Sequence, residues 1–339
     1  MALARAGPPT MGYMAEPVTK AKTLVTDDGV PIDTVHLAKD SDLAIVLAHG
    51  FTLSWQRPPV WRIASRLNQL AGVVALDFRG HGRSGGLTTM GDKEIMDLDV
   101  AVRYARELGY QRVAAVGFSM GASIALRYAG LVGGGLDAVV SVSSPGWWYF
   151  RGTERMRRVH FAVEHRLGRA VARRLLKTRI TPEAWDPVPV PPDQAAALIP
   201  GIPLLVVHGD QDPYFPVEHA QQIFRSAHDP KELWLLPGYG HAESACPPEL
   251  AGRIGAWVAE SAHAPVAEAL ARAAGAGVAE PPAAPIGTQP PESAIEKAET
   301  AVEAAGATGR PGPGHPDAHP NGDAGSAGYQ PEGSGMPSL

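Results

Sequence analysis

The sequence predicts an α/β architecture, a mostly parallel sheet covered by helices on both faces, and three observations carry the prediction. Purely apolar runs such as Leu43–Ala48, Val73–Leu76 and Leu204–Val207 alternate with stretches of helical periodicity. Strands that read as continuous apolar runs are buried on both faces, which is the signature of a parallel sheet. The alternation is interrupted once, from residue 146 to about 200, by a stretch without strand signal. Finally, one strand-to-helix junction carries Gly117-Phe118-Ser119-Met120-Gly121, a serine framed by glycines at two residues on either side. A serine on so tight a turn is strained, and the flanking positions crowd together, so glycine at both has a steric reason.

Bulk properties narrow the field. The chain has 339 residues, enough for a large buried core, and a formal net charge of −5, which gives no global attraction to nucleic acid. Its single cysteine, Cys246, excludes an internal disulfide framework and points to the cytoplasm. Gly7-Pro8-Pro9 breaks the N-terminal segment before it reaches signal-peptide length, and no apolar run is long enough to span a bilayer.

In chain order, residues 1–21 read as a flexible N-terminus. Thr23–Thr26 and Val30–Leu37 form a hairpin turned by Asp28-Gly29. The strand Leu43–Ala48 runs into His49-Gly50-Phe51. Val60, Ile63, Ala64 and Leu67 then share one helical face. A second core strand, Val73–Leu76, is closed by the glycine-punctuated loop Asp77–Ser84, and Asp92–Leu108 is an amphipathic helix with Ile95, Leu98, Val102 and Ala105 on its inner side. The strand and elbow follow, then a helix to about Leu131 and a strand over Leu136–Ser143. After the insertion come a strand ending at His208, a helix over Val217–Ser226, a strand over Lys231–Leu236 and a helix over Glu249–Glu260. From residue 262 to 339 alanine, proline and glycine dominate, so the tail is expected to be disordered. The expected domain therefore spans 22–261, with a helical cap over about 146–200.

The chemistry follows from what a serine needs. Its hydroxyl is a poor nucleophile until a histidine takes the proton, a carboxylate orients that histidine and backbone donors hold the oxyanion. Asp212 lies just past the strand ending at His208, far enough for its side chain to turn back over the sheet edge; Asp210 is the alternative, with a turn-stabilising role as its ordinary reading. His241 sits on the glycine-rich loop Gly238-Tyr239-Gly240 directly after the last strand. The backbone N–H groups of Phe51 and Met120 are the expected oxyanion donors, the latter at a helix N-terminus.

Taken as a set, His49-Gly50-Phe51, Asp77–Ser84, Gly117–Gly121, His208–Asp212 and Gly238–His241 resemble the α/β-hydrolase superfamily over about residues 22–260. The resemblance implies the α/β-hydrolase fold, a short helical cap after the sixth strand, a Ser119–His241–Asp212 triad and a structural role for the loop at Asp77. The chain is most similar to the esterase, monoacylglycerol-lipase-like and serine-aminopeptidase-like members. The haloalkane dehalogenases and epoxide hydrolases of that superfamily carry aspartate at the elbow, where this chain has Ser119. The activity so implied is cleavage of a carboxylic ester of a small or acyl-chain substrate through an acyl-enzyme. Thioester or amide hydrolysis, cofactor-free perhydrolysis, or a ligand-binding receptor with poor turnover are the alternatives.

Two stretches of the cap bear on the substrate. Trp147 and Trp148, with Tyr149 and Phe150, follow the end of a strand and serve either as packing between cap and core or as the wall of an acyl pocket. Residues 151–179 hold ten Arg and Lys side chains against Glu154 and Glu164, with Val163, Leu167, Val171 and Leu175 recurring every fourth residue. The expected arrangement is a solvated helix whose apolar stripe packs on the core. The alternative is a face that attracts anionic substrates or makes peripheral contact with an anionic lipid surface. No metal-binding or nucleotide-binding motif is present, so no cofactor is expected.

Overall fold

The computed structural model describes residues 19–262. The tail expected beyond residue 262, and residues 1–18 of the expected flexible N-terminus, lie outside the described residues. Strand β1 (Thr19–Val25) begins ahead of residue 22, so the domain starts slightly earlier than the composition suggests. It pairs antiparallel with β2 (Pro31–Leu37) across a turn in which Gly29 takes φ of 80°.

Next in the chain come β3 (Leu43–Ala48), α1 (Pro58–Leu67), β4 (Gly72–Leu76), α2 (Glu94–Glu107), β5 (Arg112–Phe118) and α3 (Met120–Arg127). A π-helical turn, Tyr128–Val132, ends α3 where Ala195 of the later helix α6 approaches; a Cβ on Gly130 would lie 2.1 Å from the Ala195 carbonyl oxygen. Strand β6 (Ala138–Val142) precedes the cap helices α4 (Glu154–Glu164), α5 (Arg166–Leu175) and α6 (Pro192–Ala196). The chain closes with β7 (Leu204–Gly209), α7 (Glu218–Ser226), β8 (Lys231–Leu236), α8 (Ala242–Ala245) and α9 (Pro248–Ser261).

The eight strands form one sheet in the order β1-β2-β4-β3-β5-β6-β7-β8, and every pairing from β4 onward is parallel. Strands β3 to β7 are buried at almost every position because helices cover both faces. On one face α1 brings Val60, Ile63 and Leu67, and α9 brings Leu250, Ile254 and Trp257. On the other, α2 contributes Ile95 and Leu98, α3 Ile124 and α7 Ile223. Parallel pairing aligns the C-terminal ends of β3, β5, β7 and β8 along one edge, where loops meet outside the sheet. No helix among the described residues is long and apolar enough to cross a membrane.

The basic stretch 151–179 departs from expectation. It is two helices rather than one, because His165 between them is extended at φ −98° and ψ 138°. The stripe of α5 also faces outward: Leu167, Val171 and Leu175 are 68%, 45% and 73% exposed, whereas Gly168 and Ala172 are buried. The reason is close helix approach. A Cβ on Gly168 would lie 2.6 Å from Ala162 Cα, so α5 meets α4 through its smallest residues, and that contact turns the larger side chains away.

Candidate active site

Strand β5 delivers its last residues into an elbow at which Ser119 takes φ 51° and ψ −115°, a conformation an L-residue adopts only under constraint. The constraint is visible on every side. The Ser119 N–H donates to the Val142 carbonyl at 2.8 Å, tying the turn to β6. A Cβ on Gly117 would fall 2.3 Å from the Gly121 carbonyl oxygen, and one on Gly121 would fall 2.2 Å from that of Ala48. Glycine at both positions is therefore a packing requirement of the turn.

The three side chains singled out from the sequence meet at this edge of the sheet. His241, on the loop after β8, places Nε2 3.0 Å from Ser119 Oγ and Nδ1 2.7 Å from Asp212 Oδ2. Asp212 follows β7, and its side chain is fully buried. Burial works to raise its carboxyl, but the hydrogen bond and charge of His241 and the amides of Tyr214 and Phe215 outweigh it and hold the group below the usual carboxylate range. An ionised Asp212 only accepts, so Nδ1 of His241 carries the proton and Nε2 is left to accept from Ser119. Asp212 Oδ1 takes the Tyr214 and Phe215 N–H groups at 2.8 and 3.1 Å. The competing carboxylate, Asp210, is exposed and accepts the Gly238 N–H at 2.7 Å, a turn contact away from His241.

The amides expected to hold an oxyanion are Phe51 and Met120, and neither donates to any group among the described residues. The peptide that carries the Phe51 N–H is pinned from behind. His49 Nε2 accepts the Phe78 N–H at 3.1 Å, which leaves Nδ1–H to donate to the Gly50 carbonyl at 2.8 Å. In a trans peptide the N–H points opposite to the C=O, so fixing the Gly50 oxygen fixes the direction of the Phe51 N–H. Burial pushes His49 down to about 4, so it serves as a neutral hydrogen-bonding ring.

Glu243 is a participant that sequence reading missed. It is buried, its Oε1 accepts the Gly50 N–H at 2.6 Å, and a Cβ on Gly50 would meet both Glu243 Oε2 and the Ser119 Cβ. Burial raises its carboxyl above the ordinary glutamate value. Only its place two residues after His241 could have drawn notice. Ser143 Oγ, at the end of β6, accepts the Ala242 N–H at 3.2 Å and braces the histidine loop.

A cavity of about 1060 Å³ opens over these groups and is lined by Ser119, His241, Phe51 and Met120 on the sheet side. Trp147 and Trp148 line it on the cap side, and each also packs. Trp147 stacks on buried His219 at 3.7 Å between ring centroids, and Trp148 Nε1 donates to the Pro189 carbonyl. Both tryptophans thus pack against neighbouring groups while lining the cavity.

The loop Asp77–Ser84 lies behind the site as a buried scaffold. Arg79 pairs with Asp28 and Asp97 at 2.7 and 2.8 Å, and Asp77 accepts the Trp55 and Arg83 amides. Cys246 is buried, with its thiol pushed up to about 12, which keeps it unreactive. Among the described residues no group of three or more His, Cys, Asp or Glu side chains is arranged to hold a metal ion.

A family model described as alpha/beta hydrolase fold matches residues 44–164. The chain is 29% identical over 227 residues to the uncharacterized protein YqkD of Bacillus subtilis (strain 168), a match covering 64% of this chain and 70% of that protein. It is 34% identical over 95 residues to a soluble epoxide hydrolase of Corynebacterium sp. (strain C12), covering 28% of this chain and 32% of that protein. Among solved structures, the esterase Pf2001 of Pyrococcus furiosus superposes with a TM-score of 0.59 at 24% identity, covering 76% of this chain and 99% of that one. The chain has the alpha/beta hydrolase fold.

Proposed function

We propose that this chain is a serine hydrolase that cleaves a carboxylic ester through an acyl-enzyme. The observation that carries the reading is the pair of contacts at His241, 3.0 Å to Ser119 and 2.7 Å to Asp212, on a histidine whose proton position suits a general base. Ser119 Oγ attacks the ester carbonyl carbon as its proton passes to His241 Nε2. The carbonyl oxygen takes up the displaced electron pair and is held by the N–H groups of Phe51 and Met120. The C–O bond then breaks, and His241 returns the proton to the leaving alkoxide. Water, deprotonated by the same nitrogen, attacks the acyl-serine and releases acid and free Ser119. Asp212 holds His241 in its tautomer and stabilises the imidazolium.

The aromatic lining at Trp147 and Trp148 supports an acyl or aryl group as the portion of substrate bound under the cap. Serine at the elbow favours this chemistry over that of the epoxide hydrolase to which a short stretch is similar. The single, buried cysteine supports a reducing compartment, the cytoplasm. The test pairs fluorophosphonate labelling with turnover of nitrophenyl esters from acetate to palmitate. Wild type should label and turn over, and Ser119→Ala should do neither while keeping its thermal midpoint. Labelling that survives Ser119→Ala would overturn the nucleophile. Saturable ligand binding without turnover of any acyl substrate would favour a receptor.

A further inference from the structure

The outward stripe of α5 is unusual for a helix lying over an apolar cavity. Leu167, Val171 and Leu175 follow one another at four-residue steps on the solvent side, and Phe161 and Leu176 are exposed nearby. Five exposed large apolar side chains thus fall within sixteen residues of cap, and monomers seldom leave such a concentration uncovered. Charge surrounds it. Residues 151–179 carry ten Arg and Lys side chains against two Glu in a chain whose net charge is −5. Of these, Arg155, Arg166, Arg173 and Arg174 make no ion pair with any described residue. On the flank of α5, Arg169, Arg173, Arg174 and Arg179 line a second pocket of about 540 Å³ over Leu87 and Ile180, which shares Arg169 and Ile180 with the wall of the main cavity.

We infer that α5 is a docking face for a bilayer surface carrying anionic phospholipid. Leu167, Val171 and Leu175 would sit at the boundary of headgroups and acyl chains, and the arginines beside them would meet lipid phosphates. The Arg-lined pocket has the chemistry to take one headgroup. Charge selects this occupant over the others. A second copy of the chain meeting this face symmetrically would set ten cations against ten more. The segment 263–339 is acidic, with nine Asp and Glu against three Lys and Arg, but its seven Val, Ile and Leu side chains are scattered over 77 residues and form no matching apolar stripe. An anionic bilayer supplies negative charge and apolar depth together. Docking would also set α4, whose Met156, Val159 and Val163 line the main cavity, close to the lipid. The inference stands apart from the proposed hydrolysis, because binding can be measured without turnover.

The experiment is sedimentation of the full chain with vesicles of phosphatidylcholine, with and without phosphatidylglycerol. Wild type should bind the mixed vesicles, release them at high salt and ignore pure phosphatidylcholine. Leu167→Ser/Val171→Ser/Leu175→Ser should weaken binding at least about a hundredfold. Arg173→Glu/Arg174→Glu should weaken it at least about tenfold. Neither variant touches the groups proposed for catalysis, so melting curves and any hydrolysis of a short soluble ester should match wild type. Val25→Ser, which removes an exposed apolar side chain outside the cap, should bind as wild type does. Failure of wild type to bind mixed vesicles overturns the inference, as does full binding by both cap variants. A concentration-dependent dimer abolished by the triple variant, without vesicle binding, would assign the face to a second copy. Crosslinks from the cap to residues 263–339, again without vesicle binding, would assign it to that segment.

Discussion

Replacing Asp212 by asparagine separates the orienting role of the acid from its place in the fold. In wild type Oδ1 accepts the Tyr214 and Phe215 N–H groups while Oδ2 accepts His241 Nδ1–H. An asparagine has one oxygen, and turning its NH₂ toward two backbone donors would leave all three without an acceptor. The oxygen therefore stays on the amides, and the NH₂ faces His241. Nδ1 must then present its lone pair, so the ring proton moves to Nε2, the atom 3.0 Å from Ser119 Oγ. A protonated Nε2 cannot take the serine proton. The variant keeps its loop, its cavity and its substrate contacts, and loses its base. An acid-to-amide change in a triad of this kind lowers kcat about 10⁴-fold, equivalent to about 5.5 kcal/mol. Steady-state hydrolysis of nitrophenyl acetate would read this directly, with KM nearly unchanged and a thermal midpoint close to wild type. Asp210→Asn, which disturbs only the contact to Gly238, serves as the control and should retain most activity. If Asp212→Asn keeps a tenth of wild-type kcat, or if Asp210→Asn loses as much, the tautomer argument is wrong.

Three further outcomes are expected. Gly121→Ala would bring a methyl to within 2.2 Å of the Ala48 carbonyl oxygen, a backbone atom with little room to yield, and should cost about 1–3 kcal/mol in urea unfolding along with most activity; a neutral effect would mean that the elbow is looser than described. Glu243→Ala leaves the buried Gly50 N–H without its acceptor and should cost about 1–3 kcal/mol, whereas Glu243→Gln keeps an acceptor oxygen and should cost under about 1 kcal/mol; equal losses would place the effect in charge instead. Burial, with repulsion from His208, pushes His219 down to about 3 from an ordinary 6.5, so its contribution to stability is complete above pH 6.5 and is lost as pH falls toward that lower value. His219→Asn removes this linkage, and its loss of stability between about pH 7.5 and 5 should be smaller than that of wild type by about 2 kcal/mol; parallel profiles would contradict a buried neutral imidazole.

Much of this molecule can be read from residues in order, and the reason is physical. A parallel strand buried on both faces has no choice but to be apolar throughout, which makes β3, β4, β5 and β7 plain in the sequence. Groups that meet at the edge of such a sheet must lie just past strand ends, and Ser119, Asp212 and His241 each do. The cap was legible in composition but not in orientation. Periodicity states which side chains of α5 share a face; it does not state whether that face looks inward. Here Gly168 and Ala172 settle the matter by allowing α4 to approach, and small residues leave no mark in a hydrophobic pattern. The single extended residue at His165, which divides one expected helix into two, is equally silent. Glu243 was hidden for a different reason. A carboxylate beside the loop of His241 looks like surface until a distant backbone, Gly50, is folded against it.

The position of β8 has a further consequence. It is the edge strand of the sheet, hydrogen-bonded to β7 on one side alone, with Glu232 and Leu235 open to solvent. Elements held along one border open more readily than those in the middle of a sheet. The loop that carries His241 springs from this strand, whereas Ser119 is anchored at the centre on β5. Thermal fraying at the margin would thus detach the histidine while the core around the serine stayed intact. On warming, turnover would vanish before helix content did, and would return on cooling as long as the core had held.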